Sequence, residues 1–132
     1  MRNIDEKIKK HIVNLILNNT NIKIYAIYIF GSYGTSYERE DSDIDIGIIT
    51  DNNLPISKRY KLKEILVNTI EREVDLSILS KHDSNLMMNV LSQGLLIYES
   101  NDYNVKFDEI YEDLEFDYYF MESYTEEINK YV

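Results

Sequence analysis

The sequence predicts a small α+β domain, a mixed β-sheet with helices packed on it, and three observations carry that prediction. Helical and strand periodicities alternate along the 132 residues, which argues for one sheet flanked by helices. Two isoleucine-rich runs, 22–30 (IKIYAIYIF) and 43–50 (DIDIGIIT), are β-formers throughout. A third run, Val74-Asp75-Leu76-Ser77-Ile78-Leu79, alternates apolar with polar residues at the strand period of two.

The elements follow in order. Ile4, Ile8, Ile12, Leu15 and Ile16 recur every three to four residues, so residues 4–18 form an amphipathic helix that ends at Asn18-Asn19-Thr20-Asn21. The strand over 22–30 runs into Gly31-Ser32. Residues 32–40 begin with a short helix, Ser32 near its N-cap and Tyr33 and Tyr37 one turn apart. After the strand over 43–50, Asp51-Asn52-Asn53 and Pro55 make a loop. Ser57 then opens a helix carrying Leu62, Ile65, Leu66 and Ile70. Asp83 or Ser84 caps a helix through Leu86, Met87, Val90 and Leu91, with Gly94 as its stop. Leu95 to Tyr98 is a short edge strand, and residues 105–130 are a long C-terminal helix with Ile110, Leu114, Met121, Thr125 and Ile128 on one stripe.

Composition bounds the function. The length suits one domain, 1–132, with a single core, and 44% apolar residues indicate a globular chain. Cysteine is absent, which removes disulfides, thiol nucleophiles and zinc thiolates. No apolar run approaches membrane-spanning length, and the charged start MRNIDEKIKK leads into an amphipathic pattern, so a cytoplasmic protein is expected. With 24 acidic and 14 basic residues the formal charge is −10, which repels a phosphate backbone at long range and favours a basic protein partner over nucleic acid.

The stretch GSYGTSYEREDSDID carries the chemistry. Asp43 and Asp45 stand two apart at the head of a strand, so both point one way while Ile44 and Ile46 enter the core. An isolated D-x-D is most often a solvated pair. Two further features set this one apart. Gly31-Ser32 closes the preceding strand, where free N–H groups and a hydroxyl can hold phosphate oxygens, and Asp75 adds a third carboxylate on an otherwise apolar strand. Like charges side by side repel, and cations relieve them. Ser42 reads as a turn residue supporting Asp43, and His11 and His82 as surface residues. Phe107, Tyr111, Phe116, Tyr118, Tyr119, Phe120, Tyr124 and Tyr131 join Tyr103 near the C-terminus, an aromatic crowd that suits both packing and a protein interface.

Glycine-serine, ten residues, D-x-D and a later strand aspartate, met here by Gly31, Ser32, Asp43, Asp45 and Asp75, resembles the DNA polymerase β-like nucleotidyltransferases, in particular the minimal nucleotidyltransferase antitoxins that accompany HEPN ribonuclease toxins. The resemblance covers nearly the whole chain, including its tyrosine-rich closing segment. It implies the polymerase β-like palm fold and transfer of AMP from ATP, with release of pyrophosphate, to a hydroxyl, commonly a tyrosine of the HEPN toxin. It further implies that Asp43, Asp45 and Asp75 hold two Mg²⁺ ions, that Asp75 accepts the proton, and that Gly31 and Ser32 hold the triphosphate. Many relatives carry a basic residue and a glycine soon after the glycine-serine pair, where this chain has Thr35 and Ser36; Arg39, Lys58, Arg59 and Lys81 are the replacements at hand. The alternatives are a non-catalytic antitoxin acting by occlusion and an adenylyltransferase of a small antibiotic such as an aminoglycoside, which usually needs an extra helical domain. Simple Ca²⁺ binding lacks any loop of EF-hand spacing.

Overall fold

In the computed structural model, which describes residues 4–39, 42–80 and 83–115, four strands form one mixed sheet between two layers of helix. The elements are α1 (Glu6–Asn18), β1 (Ile24–Phe30), β2 (Ile44–Thr50), α2 (Ile56–Ile70), β3 (Val74–Leu79), α3 (Ser84–Gln93) and β4 (Leu95–Glu99), then α4 over 103–115. The order across the sheet is β3-β2-β1-β4. β1 pairs antiparallel with β2 and with β4, whereas β2 and β3 run parallel, joined by the crossover helix α2. β3 and β4 are therefore the edges.

Local chemistry sets the helix ends. The Asp5 carboxylate accepts the Lys7 amide (2.7 Å) and caps α1, and the Asp83 carboxylate accepts the Leu86 amide (3.2 Å) and caps α3. α2 starts behind Pro55, which has no N–H to leave unsatisfied. It ends at Glu71, whose φ of 60° is the left-handed conformation that closes a helix.

Both faces of the sheet are covered, and this explains why β1 and β2 read as continuous apolar runs. Ile27, Ile29, Ile44, Ile46, Ile48 and Val74 meet Ile12 and Ile16 of α1 and Leu62 and Leu66 of α2 on one face. On the other face Ala26, Tyr28, Ile49 and Leu79 meet Met87 and Val90 of α3 and Tyr103, Ile110 and Leu114 of α4. Among the described residues no helix is long and apolar enough to cross a membrane.

Two expectations change. No helix follows Ser32: residues 31–37 are successive turns, because Gly34 takes φ +77° and ends any right-handed run after Tyr33. Gly94 stops α3 as expected, in an extended conformation (φ −76°, ψ 160°) with its N–H bonded to the Val90 carbonyl. The last helix begins at 103 rather than 105, and the part of the expected stripe at Met121, Thr125 and Ile128 lies outside the described residues.

Tyr103 belongs to the core and not to an interface. Its hydroxyl meets that of Tyr28 at 2.7 Å and the two rings pack edge to face at 6.4 Å, pinning α4 to β1. Burial pushes the pKa of both hydroxyls up. Lys106 of α4 adds an ion pair to Asp51 (2.5 Å), which also accepts the Tyr25 hydroxyl (2.6 Å); these two bonds hold the Asp51 carboxyl below its ordinary range. Phe107 is half-buried beside Tyr103 and Tyr111 is exposed, while the remaining C-terminal aromatics lie outside the described residues. Tyr28→Phe strips the buried Tyr103 hydroxyl of its partner and is expected to cost about 1–3 kcal/mol, whereas Tyr28→Phe with Tyr103→Phe removes both groups and costs less than the single change. Equilibrium urea unfolding of the three proteins checks this order.

Candidate active site

The strand order sets the site in a row. β1 ends at Phe30, which pairs with Asp45 near the start of β2, and Asp45 in turn pairs with Asp75 near the start of β3. Parallel partners in register present their side chains on the same face, so the two carboxylates stand one strand spacing apart, roughly 4.8 Å. Asp43 precedes β2 by one residue and is exposed; Asp45 is half-buried and Asp75 exposed. The Ile44 amide donates to the Glu73 carbonyl (2.9 Å), which carries the ladder to the strand heads and ties the D-I-D segment to β3.

Gly31 lies against this row. Its φ is +74°, and a methyl group built on its Cα would stand 1.9 Å from Oδ2 of Asp45. Glycine is needed twice, for the turn and for the space the carboxylate fills. Ser32 is half-buried, and its hydroxyl donates weakly to that of Ser42 (3.4 Å). The Ser32 carbonyl accepts both the Thr35 amide (3.0 Å) and the Thr35 hydroxyl (2.5 Å). Thr35 thus closes the turn. Ser42 is the turn residue that its position suggested: its hydroxyl accepts the Arg39 amide (2.7 Å) and its own amide donates to the Arg39 carbonyl (3.0 Å).

Of the replacement cations, Arg59 is the one brought beside the row. It lines a cavity of about 270 Å³ with Ile56, Tyr60, Lys63, Asp75 and Leu76, and its Nε donates to the Leu54 carbonyl (2.8 Å). Arg39 is exposed, Lys58 lines a different groove with Asn19 and Asn21, and Lys81 lies outside the described residues, as does His82. His11 is on the surface.

Sequence reasoning missed Arg72. From the turn between α2 and β3 it donates to the Ser42 carbonyl through Nε (2.7 Å) and to the Arg39 carbonyl through a terminal nitrogen (3.2 Å). The same side chain pairs with Glu38 (2.8 Å) and lies over the Tyr33 ring at 4.6 Å. Burial pushes the Tyr33 hydroxyl's pKa up, and the Arg72 charge opposes that rise. The one available signal was its position directly before Glu73-Val74, at the head of the strand that carries Asp75.

Among the described residues no three acidic or histidine side chains form a ready-made metal cage. The donor set still suits a hard cation: two carboxylates in register, a third one residue ahead of β2, and a carboxylate seated on a bare glycine where no side chain intrudes. Asp43, Asp45 and Asp75 are the residues that could hold magnesium, and the Gly31-Ser32 turn could receive phosphate oxygens beside it.

A family model described as "Polymerase beta, Nucleotidyltransferase" matches residues 6–103. Protein adenylyltransferase MntA of Shewanella oneidensis is 32% identical over 83 residues, which are 63% of this chain and 59% of MntA, so the match spans less than two thirds of that relative. A relative from Methanocaldococcus jannaschii, named as a candidate protein adenylyltransferase, is 36% identical over 73 residues, 55% of this chain and 81% of its own length. In fold, the chain is similar to one in a complex of tri-AMPylated Shewanella oneidensis HEPN toxin with MNT antitoxin (TM-score 0.73, 23% identity, covering 96% of this chain and 97% of that one). It is also similar to a chain of a toxin–antitoxin structure with AMP-PNP (TM-score 0.67, 26% identity, covering 89% and 97%). With the family model matched from the first helix to Tyr103, the chain belongs to the polymerase beta nucleotidyltransferase family.

Proposed function

We propose that this chain is an antitoxin that transfers AMP from ATP to a hydroxyl, a tyrosine of a HEPN toxin, and silences the toxin by that modification. The observation that carries the reading is the register of Asp45 with Asp75 beside the Gly31 turn, since a carboxylate pair next to a glycine turn is the arrangement phosphoryl chemistry needs. The likeness to MntA and to chains of HEPN toxin–antitoxin complexes supports the substrate and the partner.

In this reading the row divides its labour from β1 to β3. Gly31 and Ser32 grip the β- and γ-phosphates through backbone N–H groups and a hydroxyl. Asp43, Asp45 and Asp75 are the residues that would hold the two Mg²⁺ ions. Magnesium, when bound, offsets phosphate charge and lowers the pKa of the incoming hydroxyl. The acceptor enters from the β3 side, where the cavity beside Asp75 offers Ile56 and Tyr60, 68% and 69% exposed, to a ring. Asp75 takes the hydroxyl proton; the acceptor oxygen bonds to the α-phosphorus while the bond to the pyrophosphate oxygen breaks, and pyrophosphate leaves.

The test is incubation of the purified protein with Mg²⁺, ATP and the HEPN protein encoded beside it, followed by intact-mass measurement. Addition of one or more AMP groups is expected, and a toxin neutralised with its mass unchanged would mean occlusion instead. Asp43→Asn with Asp45→Asn is expected to cut the transfer rate by about a hundredfold or more with the unfolding midpoint retained. Gly31→Ala, which forces a methyl group onto Asp45 at an unfavourable φ, should raise KM for ATP and lower stability by about 1 kcal/mol or more, read by initial rates and by urea unfolding.

A further inference from the structure

The residues that flank the site have little regular structure of their own. Between β1 and β2 the described residues are turns and extended chain, closed by single bonds such as Thr35 to Ser32, Glu38 to Thr35 and Ser42 to Arg39. Backbone carbonyls outside helix and sheet need donors from elsewhere. The Ser42 carbonyl takes a guanidinium N–H from the far side of α2, and the Arg39 carbonyl takes another beside the Ser42 amide, thirty residues or more along the chain.

Arg72 reaches both halves of this connection at once. Tyr33, under its plane at 4.6 Å, directly follows Ser32; Ser42, bonded to its Nε at 2.7 Å, directly precedes Asp43. Tyr33 is buried, and the Arg72 side chain is 26% exposed, so stacking and hydrogen bonding occur where water competes poorly. The pair with Glu38 orients the fork from a third side. Because Arg72 also sits one residue before Glu73, whose carbonyl takes the Ile44 amide, its backbone is anchored to the D-I-D segment.

We propose that Arg72 is the positioning residue of this site: it fixes the phosphate-side turn at Gly31-Ser32 relative to the carboxylates of Asp43 and Asp45. It acts through its contacts with Ser42, Arg39, Glu38 and Tyr33. A lysine keeps one charge and the pair with Glu38 but cannot donate to two carbonyls in a planar fork or stack on Tyr33 in the same way. The activity arm of the test rests on the adenylyl-transfer reading; the exchange arm does not.

Arg72→Lys and Arg72→Gln are compared with wild type in two measurements. In amide hydrogen exchange, Thr35, Glu38 and Ser42 are expected to exchange about tenfold faster or more in Arg72→Gln, with Ile27 of β1 and Ile48 of β2 unchanged. In AMP transfer, kcat should fall at least about tenfold in both variants while KM for ATP moves less than about threefold, because a displaced reacting group costs rate more than binding. Unchanged exchange at the three loop amides overturns the proposal, as does a loss of protection spread equally through β1 and β2. So does a wild-type kcat in the lysine variant. If wild-type protein transfers no AMP at all, the adenylyl-transfer reading fails, and the exchange result alone decides whether Arg72 holds the loop.

Discussion

Parallel pairing of β2 with β3 is the constraint on which the molecule turns. Two strands that run the same way and sit in register bring their heads to the same end of the sheet, so Asp45 must lie next to Asp75. An antiparallel arrangement would set one carboxylate at each end. Parallel neighbours cannot be joined by a tight turn, and α2 is the crossover that makes them possible. The apolar stripe of α2, with Leu62 and Leu66 buried against Ile44, Ile46 and Ile48, is therefore what keeps two like charges adjacent. Core packing on one face sets the electrostatics at one end.

The opposite requirement holds for β1. It must deliver Gly31 to the same end, and it does so by running antiparallel to β2 with Phe30 opposite Asp45. The chain then has to travel from Gly31 back to Asp43 without a regular element, and the glycines at 31 and 34, both at positive φ, let it turn tightly. The bonds of its described residues are local ones, such as Thr35 to Ser32 and Ser42 to Arg39, and a side chain from α2's far end touches both of its halves.

Much of this was legible in the chain. The isoleucine-rich runs marked the first two strands, and the alternation in Val74–Leu79 marked the third strand with its bounds intact. The carboxylate row was legible as spacing, since Asp75 could share a face with Asp45 only if the strands were neighbours. The short helix after Ser32 was misread because a serine followed by tyrosines one turn apart fits a helical period, and the period does not reveal that Gly34 turns left-handed. Packing was one of the roles read for Tyr103, but its partner Tyr28 lies 75 residues away, a separation no local pattern encodes. Arg72 escaped for the same reason: its acceptors are carbonyls, and every residue has one.

Covering the sheet on both sides has a geometric corollary. α1 and α2 lie on one face and α3 and α4 on the other, so among the described residues the heads of the strands and the outer edge of β3, where Asp75 is exposed, are the approaches to the carboxylates. A projecting loop or tail suits such an approach better than a flat surface does. The lamination of this small domain thereby bears on the shape of whatever reaches its carboxylates, before any chemistry begins.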